Sequence, residues 1–403
     1  STFLGLVPLS ADPQLPPDTA WHPVSKLPEM SFDHGTVVRH ARNRLAAKLS
    51  YTNIAFGLAP EEFAMSTLRE IYCAALGYQV DATNLQRQGQ LALWVPSHGQ
   101  EGAQVGSAHA TKKQDHIFPA YREHAIGMIR GIDVLEIIRV LRGLTHGGWD
   151  PTLPEHGNFH IYTLVIGSQA LHATGYGMGI KFDGATNTGN PDTDQAVIVY
   201  FGDGATSQGD VSEALVFAAS YQTPQVFFVQ NNHWAISVPV STQARVPLYK
   251  RGEGFGIPGV QVDGNDVFAS YAVTAKQLDD ARSGKGPSLI EAHTYRIGAH
   301  TSSDDPTKYR TDAELDSWIA RDPITRMEAF LRNSGAPQSF FDEVHQEAAD
   351  FASDIRRRTV DLANPEPASM FNHVYSDPHP FMDEQSAWLA NYEASFDEQG
   401  GGH

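Results

Sequence analysis

The sequence predicts an α/β fold: a doubly wound parallel sheet with helices on both faces, an N-terminal arm and a helical C-terminal appendage. Two segments carry that expectation. Residues 196–201 (AVIVYF) and 225–230 (QVFFVQ) are apolar runs rich in β-branched and aromatic residues, as expected for strands buried on both faces. The first runs into Gly202-Asp203-Gly204 and the second into Asn231-Asn232, with a helix-like stretch between them, so together they form one strand–helix–strand unit. The third observation is alternation. Strand-like and helix-like segments keep alternating as far as Tyr295, the pattern of a parallel sheet.

Taken in order, residues 1–32 are rich in proline and lack periodicity, so they read as an extended arm. An α/β domain is expected over 33–364. Within it, Pro60–Ala92 has a helical pattern (Phe63, Leu68, Ile71, Ala75, Leu76) with Glu61 and Glu62 in the first turn. Ile132–Gly143 is a second helix, with Asp133 as cap and Gly143 as stop. Residues 144–165 are loop-rich. Gln169–Phe182 is a small-residue helix whose Gly175 and Gly179 share one face, so a neighbouring backbone can approach it closely. Beyond the central unit, Gly259–Val262 is a strand, 263–266 (DGND) a turn, Val267–Arg282 a helix and Pro287–Tyr295 a strand. Gly298–Lys308 reads as a loop. Asp312–Ser334 reads as one amphipathic helix stopped by Gly335, and Gln338–Asn364 as another. Pro365 and Pro367 open the appendage over 365–403, which ends in a helix to about Tyr392 and a frayed tail from Gly400.

Composition narrows the function classes. A chain of 403 residues can hold one large α/β domain or two ordinary ones, and 41% hydrophobic with 19% charged residues suits a globular protein. The net charge of −18 argues against nucleic acid and anionic membranes as partners. The single Cys73 excludes an internal disulfide and fits a reducing compartment. There is no uninterrupted apolar run long enough to span a bilayer and no charged n-region opening the chain, so a cytoplasmic protein is expected.

The two strand ends carry the chemistry. In a parallel sheet Asp203 and the Asn pair converge at the carboxyl edge, where α/β ligands bind. A carboxylate plus an amide oxygen suits Mg²⁺, which takes few protein ligands and keeps positions for water and phosphate oxygens. Gly202-x-Gly204 after a strand also fits a dinucleotide fingerprint, but that motif wants an acid near the end of the next strand, and here the chain reads Gln230-Asn231-Asn232. Asp203 would also repel a pyrophosphate unless a cation bridged them. A metal-bridged diphosphate is therefore favoured over a nicotinamide dinucleotide and over a plain turn.

The pairing of Gly202-Asp203-Gly204 with Asn231-Asn232 resembles the thiamine diphosphate signature. QNNHWAISVP (230–239) resembles the alpha subunit of the decarboxylase (first) component of 2-oxoacid dehydrogenase complexes, in its branched-chain type. Further matches run from about Gln86 to Tyr392: PSHGQEGAQVGSA (96–108), FPAYREH (118–124), GSQALHATGYGMG (167–179), GDGATSQGD (202–210), VQVDGNDV (260–267), GKGPSLIEAHTYRIGAHTSSDD (284–305) and KYR (308–310).

The resemblance implies the thiamine diphosphate-binding fold and a set of roles. Asp203, Asn232 and the Trp234 carbonyl would hold Mg²⁺. Gly202, Gly204 and Ala205 would bring backbone close to the diphosphate, and Tyr121 and Arg122 would contact it, Arg through its fork of donors. On residue type alone that pair could equally be a surface aromatic–cation contact. His300 falls at the family's catalytic histidine, suited to donating a hydrogen bond and moving protons near neutral pH. Arg296, four residues earlier, would help bind phosphate. Ala299 stands where the family usually has a second histidine, and Thr301 where mammalian relatives are phosphorylated. Ile166 would prop the cofactor rings, the alternative being plain core. Thr163, Ser168 and Gln169 match a K⁺ site, and Ser97, His98 and Tyr121 would line the substrate entrance. The glutamate that thiamine enzymes need at the pyrimidine ring has no match here. The resemblance assigns it to a beta subunit in an α2β2 heterotetramer, so the chain is expected to be inactive alone. It would act on a small 2-oxoacid (branched-chain, with pyruvate or acetoin as alternatives) and pass the acyl group to a lipoyl-bearing acyltransferase. A non-catalytic scaffold is the reading from a different class, and the presence of Asp203, Asn232, Arg122 and His300 argues against it.

Overall fold

The computed structural model describes residues 91–397 apart from His146 and His373. The expected arm, Cys73, nearly all of the Pro60–Ala92 helix and the tail lie outside the described residues. The core is a five-stranded, wholly parallel sheet in the order β1-β2-β3-β7-β6. Its strands are β1 (His116–Phe118), β2 (Val197–Gly202), β3 (Gln225–Asn231), β6 (Gly259–Asp263) and β7 (Ser288–His293), with a small antiparallel hairpin of β4 (Trp234–Ala235) and β5 (Val238–Pro239) just past β3.

Strand alternation sorts the core into two layers. Val197, Val199 and Phe201 of β2, Phe227 and Val229 of β3, and Leu289 of β7 face one layer. Against them pack α4 (Gln169–Phe182) and α5 (Gly209–Tyr221), through Ala170, Ala173, Ile180, Val211, Ala214 and Leu215. Ile198, Tyr200, Val226, Phe228 and Ile290 face the other layer. It is covered by α1 (Glu101–Ala110), α2 (His124–Ile129), α3 (Val134–Arg142) and α8 (Val267–Arg282). This is the doubly wound sheet the sequence predicts.

The ends of α3 fall as expected, and α8 has a cap where the sequence reads only as part of a turn. The Asp133 side chain accepts from Leu135 N at 2.9 Å, and Gly143 ends α3 at φ 80°. The Asp266 carboxylate accepts from Ala269 N and opens α8. One expected element is corrected. Residues 312–334 form two helices, α9 (Asp312–Ile319) and α10 (Pro323–Asn333). Pro323 has no N–H to continue the ladder, and Asp322 instead caps a new helix, accepting from Thr325 N at 2.8 Å. Two short helices, α6 (Val240–Gln243) and α7 (Lys250–Glu253), join the hairpin to β6. The long α11 (Gln338–Val360) ends four residues earlier than expected, at Val360, and α12 (Pro380–Asp397) closes the described chain.

Candidate functional site

Register places the two marked strand ends side by side. Gly202 pairs with Gln230 across β2 and β3, and Asn231 with His293 across β3 and β7. The residues that follow therefore leave the sheet at the same edge: Asp203 in a short 3₁₀ turn (Asp203–Ser207), Asn232 and Trp234 in the hairpin, Arg296 and His300 beyond β7, and Tyr121 and Arg122 beyond β1. All of these except Arg296 border a cavity of about 230 Å³. Tyr121, Arg122, Thr163, Ile166, Gly202, Asp203, Gly204, Ala205, Asn232, Trp234 and His300 all line it.

Asp203 is almost fully buried, and burial pushes its carboxyl up to about 6 against the opposing hydrogen bond from Gln243. Gln243 Nε2 donates to Asp203 Oδ2 at 3.0 Å. Asn232 Oδ1 accepts from Trp234 N at 3.2 Å, and its Nδ2 donates to Gln100 Oε1 at 3.1 Å. The Trp234 carbonyl accepts from Arg296 Nη1 at 3.0 Å.

His300 sits between two guanidinium groups. Arg122 Nη2 lies 3.3 Å and Arg296 Nη1 3.2 Å from its Nδ1. A guanidinium can only donate, so Nδ1 must accept and the ring proton belongs on Nε2. Burial, reinforced by both arginines, lowers the His300 pKa to about 4, so the ring is neutral at physiological pH. Its backbone N donates to Asp304 Oδ2 at 2.7 Å, and Tyr309 OH donates to the same oxygen at 2.5 Å. The Tyr121 ring meets His300 edge-on, with Arg122 5.7 Å from its centroid.

A family model described as Dehydrogenase E1 component matches residues 78–358. The chain belongs to the dehydrogenase E1 component family. It is 42% identical over 332 residues to the 3-methyl-2-oxobutanoate dehydrogenase subunit alpha of Mycobacterium tuberculosis (strain ATCC 25618 / H37Rv), covering 82% of this chain and 87% of that relative. It is 37% identical over 326 residues to the pyruvate dehydrogenase E1 component subunit alpha of Acholeplasma laidlawii, covering 79% and 91%. With the Staphylococcus aureus (strain Mu50 / ATCC 700699) pyruvate dehydrogenase E1 component subunit alpha, identity is 40% over 254 residues, covering 62% and 66%.

Membership of the E1 family makes the chain a component of a 2-oxoacid dehydrogenase and implies thiamine diphosphate. The cavity fits such a group. A Cβ at Gly202 would meet no atom within 4 Å, so the bare backbone there leaves room against the cavity. At Gly204 a Cβ would come within 2.8 Å of the Ala235 Cβ, so only glycine lets the turn sit against the hairpin. Two lining residues also hold buried polar atoms with no partner among the described residues, the donor Gln100 Nε2 and the acceptor Gln169 Oε1. A polar ligand would satisfy them.

Of the remaining expected E1 site residues, Arg296 lies behind the cavity wall rather than in it, fully buried and donating to the Trp234 and Ile236 carbonyls and to Tyr309 OH. Ile166 is 39% exposed, so it is not plain core. Ser168 lies off the lining and its Oγ donates to Val165 O, while Thr163 and Gln169 are on it. Ser97 and His98 lie outside the lining, and His98 faces Asp322 at 3.6 Å. Sequence reasoning missed Gln100, Glu123 and Gln230. Glu123 is the only glutamate among the described lining residues, and its carboxylate accepts from Gln230 Nε2. Burial raises its pKa. For Glu123 and Gln230 the signal lay in AYREH and VQNN, which place polar residues just after or at the end of a buried strand; Gln100 carried none.

Proposed function

We propose that the chain is the alpha subunit of a branched-chain 2-oxoacid dehydrogenase, working with a beta subunit in an α2β2 assembly and passing the acyl group to lipoamide on an acyltransferase. The observation that carries this reading is the meeting of Asp203, Asn232, Arg122 and His300 around one cavity at the carboxyl edge of the sheet. When bound, thiamine diphosphate supplies an electron sink for carbanions. Asp203, Asn232 and the Trp234 carbonyl are the oxygens for Mg²⁺, with Arg296 set to hold that carbonyl in place. Tyr121 and Arg122, with the backbone from Gly202 to Ala205, face the diphosphate. Thr163, Ser168 and Gln169 are the candidates for K⁺, and Ser97 and His98 for the outer entrance.

His300 is the proposed catalytic residue. Held neutral with its proton on Nε2, it can donate a hydrogen bond to a substrate carboxylate or developing oxyanion without carrying charge. Ile166 is exposed in the lining, where it can support the cofactor rings.

The need for a beta subunit rests on two features. Glu123 is engaged by Gln230 and adjoins Arg122, so no lining glutamate is free for the pyrimidine ring. Leu164, Val165, Ile166, Ile236 and Val238 also leave an exposed apolar margin beside the cavity, as expected for a subunit contact. A Cβ at Gly175 or Gly179 of α4 would meet nothing within 4 Å, so that face can receive a neighbouring backbone. Residues 33–364 are proposed as the cofactor domain, with 1–32 as an arm and 365–403 as an appendage. A cytoplasmic location is proposed, and no helix among the described residues is long and apolar enough to cross a membrane.

The test is a panel of 2-oxoacids with an artificial electron acceptor, using the chain purified with its beta partner. 3-Methyl-2-oxobutanoate and 4-methyl-2-oxopentanoate should exceed pyruvate in kcat/KM by roughly tenfold to a few hundredfold, because each added methylene in a pocket is worth about 1–3 kcal/mol. The pyruvate dehydrogenase relatives favour the second reading, and a pyruvate preference would select it.

A further inference from the structure

We propose that Glu291, a β7 residue outside the cavity, is the positioning residue that sets the geometry of the cation ligands Asn232 and Trp234. Its side chain is buried at 1% exposure between β3 and the α7 segment. Glu291 Oε1 accepts from Asn231 Nδ2 at 2.7 Å, and Oε2 accepts from Tyr249 N at 3.0 Å. Because the carboxylate can only accept, it turns the Asn231 NH₂ toward itself and leaves Asn231 Oδ1 facing the other way. That oxygen accepts from His233 N at 3.1 Å and closes a tight turn.

The turn matters because the backbone beyond it is unusual. His233 has φ 72° and Ile236 φ 55°, left-handed values that side chains other than glycine seldom adopt. His233 O accepts from Val240 N at 2.9 Å and ties off the hairpin. Within this bend Asn232 and Trp234 line the cavity while Asn231 lies outside it. A second turn, Asn232 Oδ1 with Trp234 N, follows directly. Glu291 therefore acts on the ligands through Asn231, and a freely rotating amide at 231 would leave the His233 N–H without a fixed acceptor.

The proposal rests on Asp203, Asn232 and Trp234 being the cation ligands, and the experiment separates the two claims. Mn²⁺ binding is followed by electron paramagnetic resonance, and Mn²⁺-dependent thiamine diphosphate binding by calorimetry, on the full chain assembled with its partner. Glu291→Gln places an NH₂ against one of two donors and should weaken Mn²⁺ binding about tenfold, the size of one lost hydrogen bond to a charged group. Asn231→Asp sets two carboxylates together and should do the same. The double variant Glu291→Gln/Asn231→Asp restores a donor to each acceptor and should return binding to near the native level. Native Mn²⁺ affinity in Glu291→Gln, or a double variant no better than the singles, overturns the proposal if Asp203→Ala is defective. Native Mn²⁺ affinity in Asp203→Ala overturns the cation reading and this proposal with it.

Discussion

Burial and two arginines hold His300 as a neutral donor, and the proposed chemistry depends on that state. His300→Ala should fold and bind thiamine diphosphate, yet lose roughly 10²–10⁴-fold in rate, the range for a general acid–base group. Decarboxylation with an artificial acceptor and reductive acylation of a lipoyl domain are to be measured separately. Wild-type rates in both would reduce His300 to an ordinary loop residue. Asp203 belongs to the same scale. It is the buried carboxylate at the tip of β2, so Asp203→Ala should abolish Mg²⁺-dependent cofactor affinity in calorimetry while leaving the circular dichroism spectrum unchanged. Normal affinity would remove Asp203 from the metal site.

At the scale of elements, the site depends on how closely the 3₁₀ turn after β2 approaches the β4–β5 hairpin. A side chain at Gly204 would collide with Ala235, the residue after Trp234. Gly204→Val should push the hairpin away and cost cofactor affinity at least tenfold, with a misplacement cost of about 1–3 kcal/mol in melting. Unchanged affinity would show that the hairpin tolerates displacement. The same scale explains the one helix misread. Asp312–Ser334 is amphipathic throughout, but Asp322-Pro323 is a stop and a start at once, because proline cannot continue a ladder and aspartate caps a new one. Strand β1 and helix α1 left almost no pattern, since β1 is three residues long and α1 (EGAQVGSAHA) is built largely of small residues. Gly102 and Gly106 let α1 lie close against the 264–265 backbone and the start of α8, so packing rather than pattern supports this helix.

Over the whole molecule, buried imidazoles tie stability to pH. His116, His124, His160, His233 and His300 each have a pKa lowered to about 4, in every case chiefly by burial. Below about 6.5 the unfolded chain takes up these protons and the folded chain does not. The stability present above that pH is therefore lost as pH falls toward 4. Asp203, raised to about 6, opposes this, as do Glu101 and Glu123, whose carboxyls burial also raises, but the five imidazoles outnumber them. The melting temperature should drop steadily between about pH 7 and pH 5, and a flat or rising profile would show that the imidazoles titrate normally. The chain purified alone should show no 2-oxoacid turnover, and adding its beta partner should restore it. Turnover by rigorously purified alpha chain would place the whole active site on this subunit.

Local pattern was enough for the doubly wound sheet, the cap at Asp133 and stop at Gly143, and the convergence of Asp203 with Asn232. Strand period and turn chemistry are properties of neighbouring residues, and parallel strands must end at a common edge. The roles of Arg122, Arg296 and His300 were implied by resemblance, not by spacing, because these residues follow strands β1 and β7, whose ends only the sheet order brings to one edge. What only the tertiary structure decided was orientation: Nδ1 of His300 between two guanidiniums, Arg296 behind the wall rather than in it, and the Asn231 amide on Glu291 while Asn232 lines the cavity. Each depends on side chains meeting across long separations in the chain, and periodicity in the sequence carries no record of which atoms will meet.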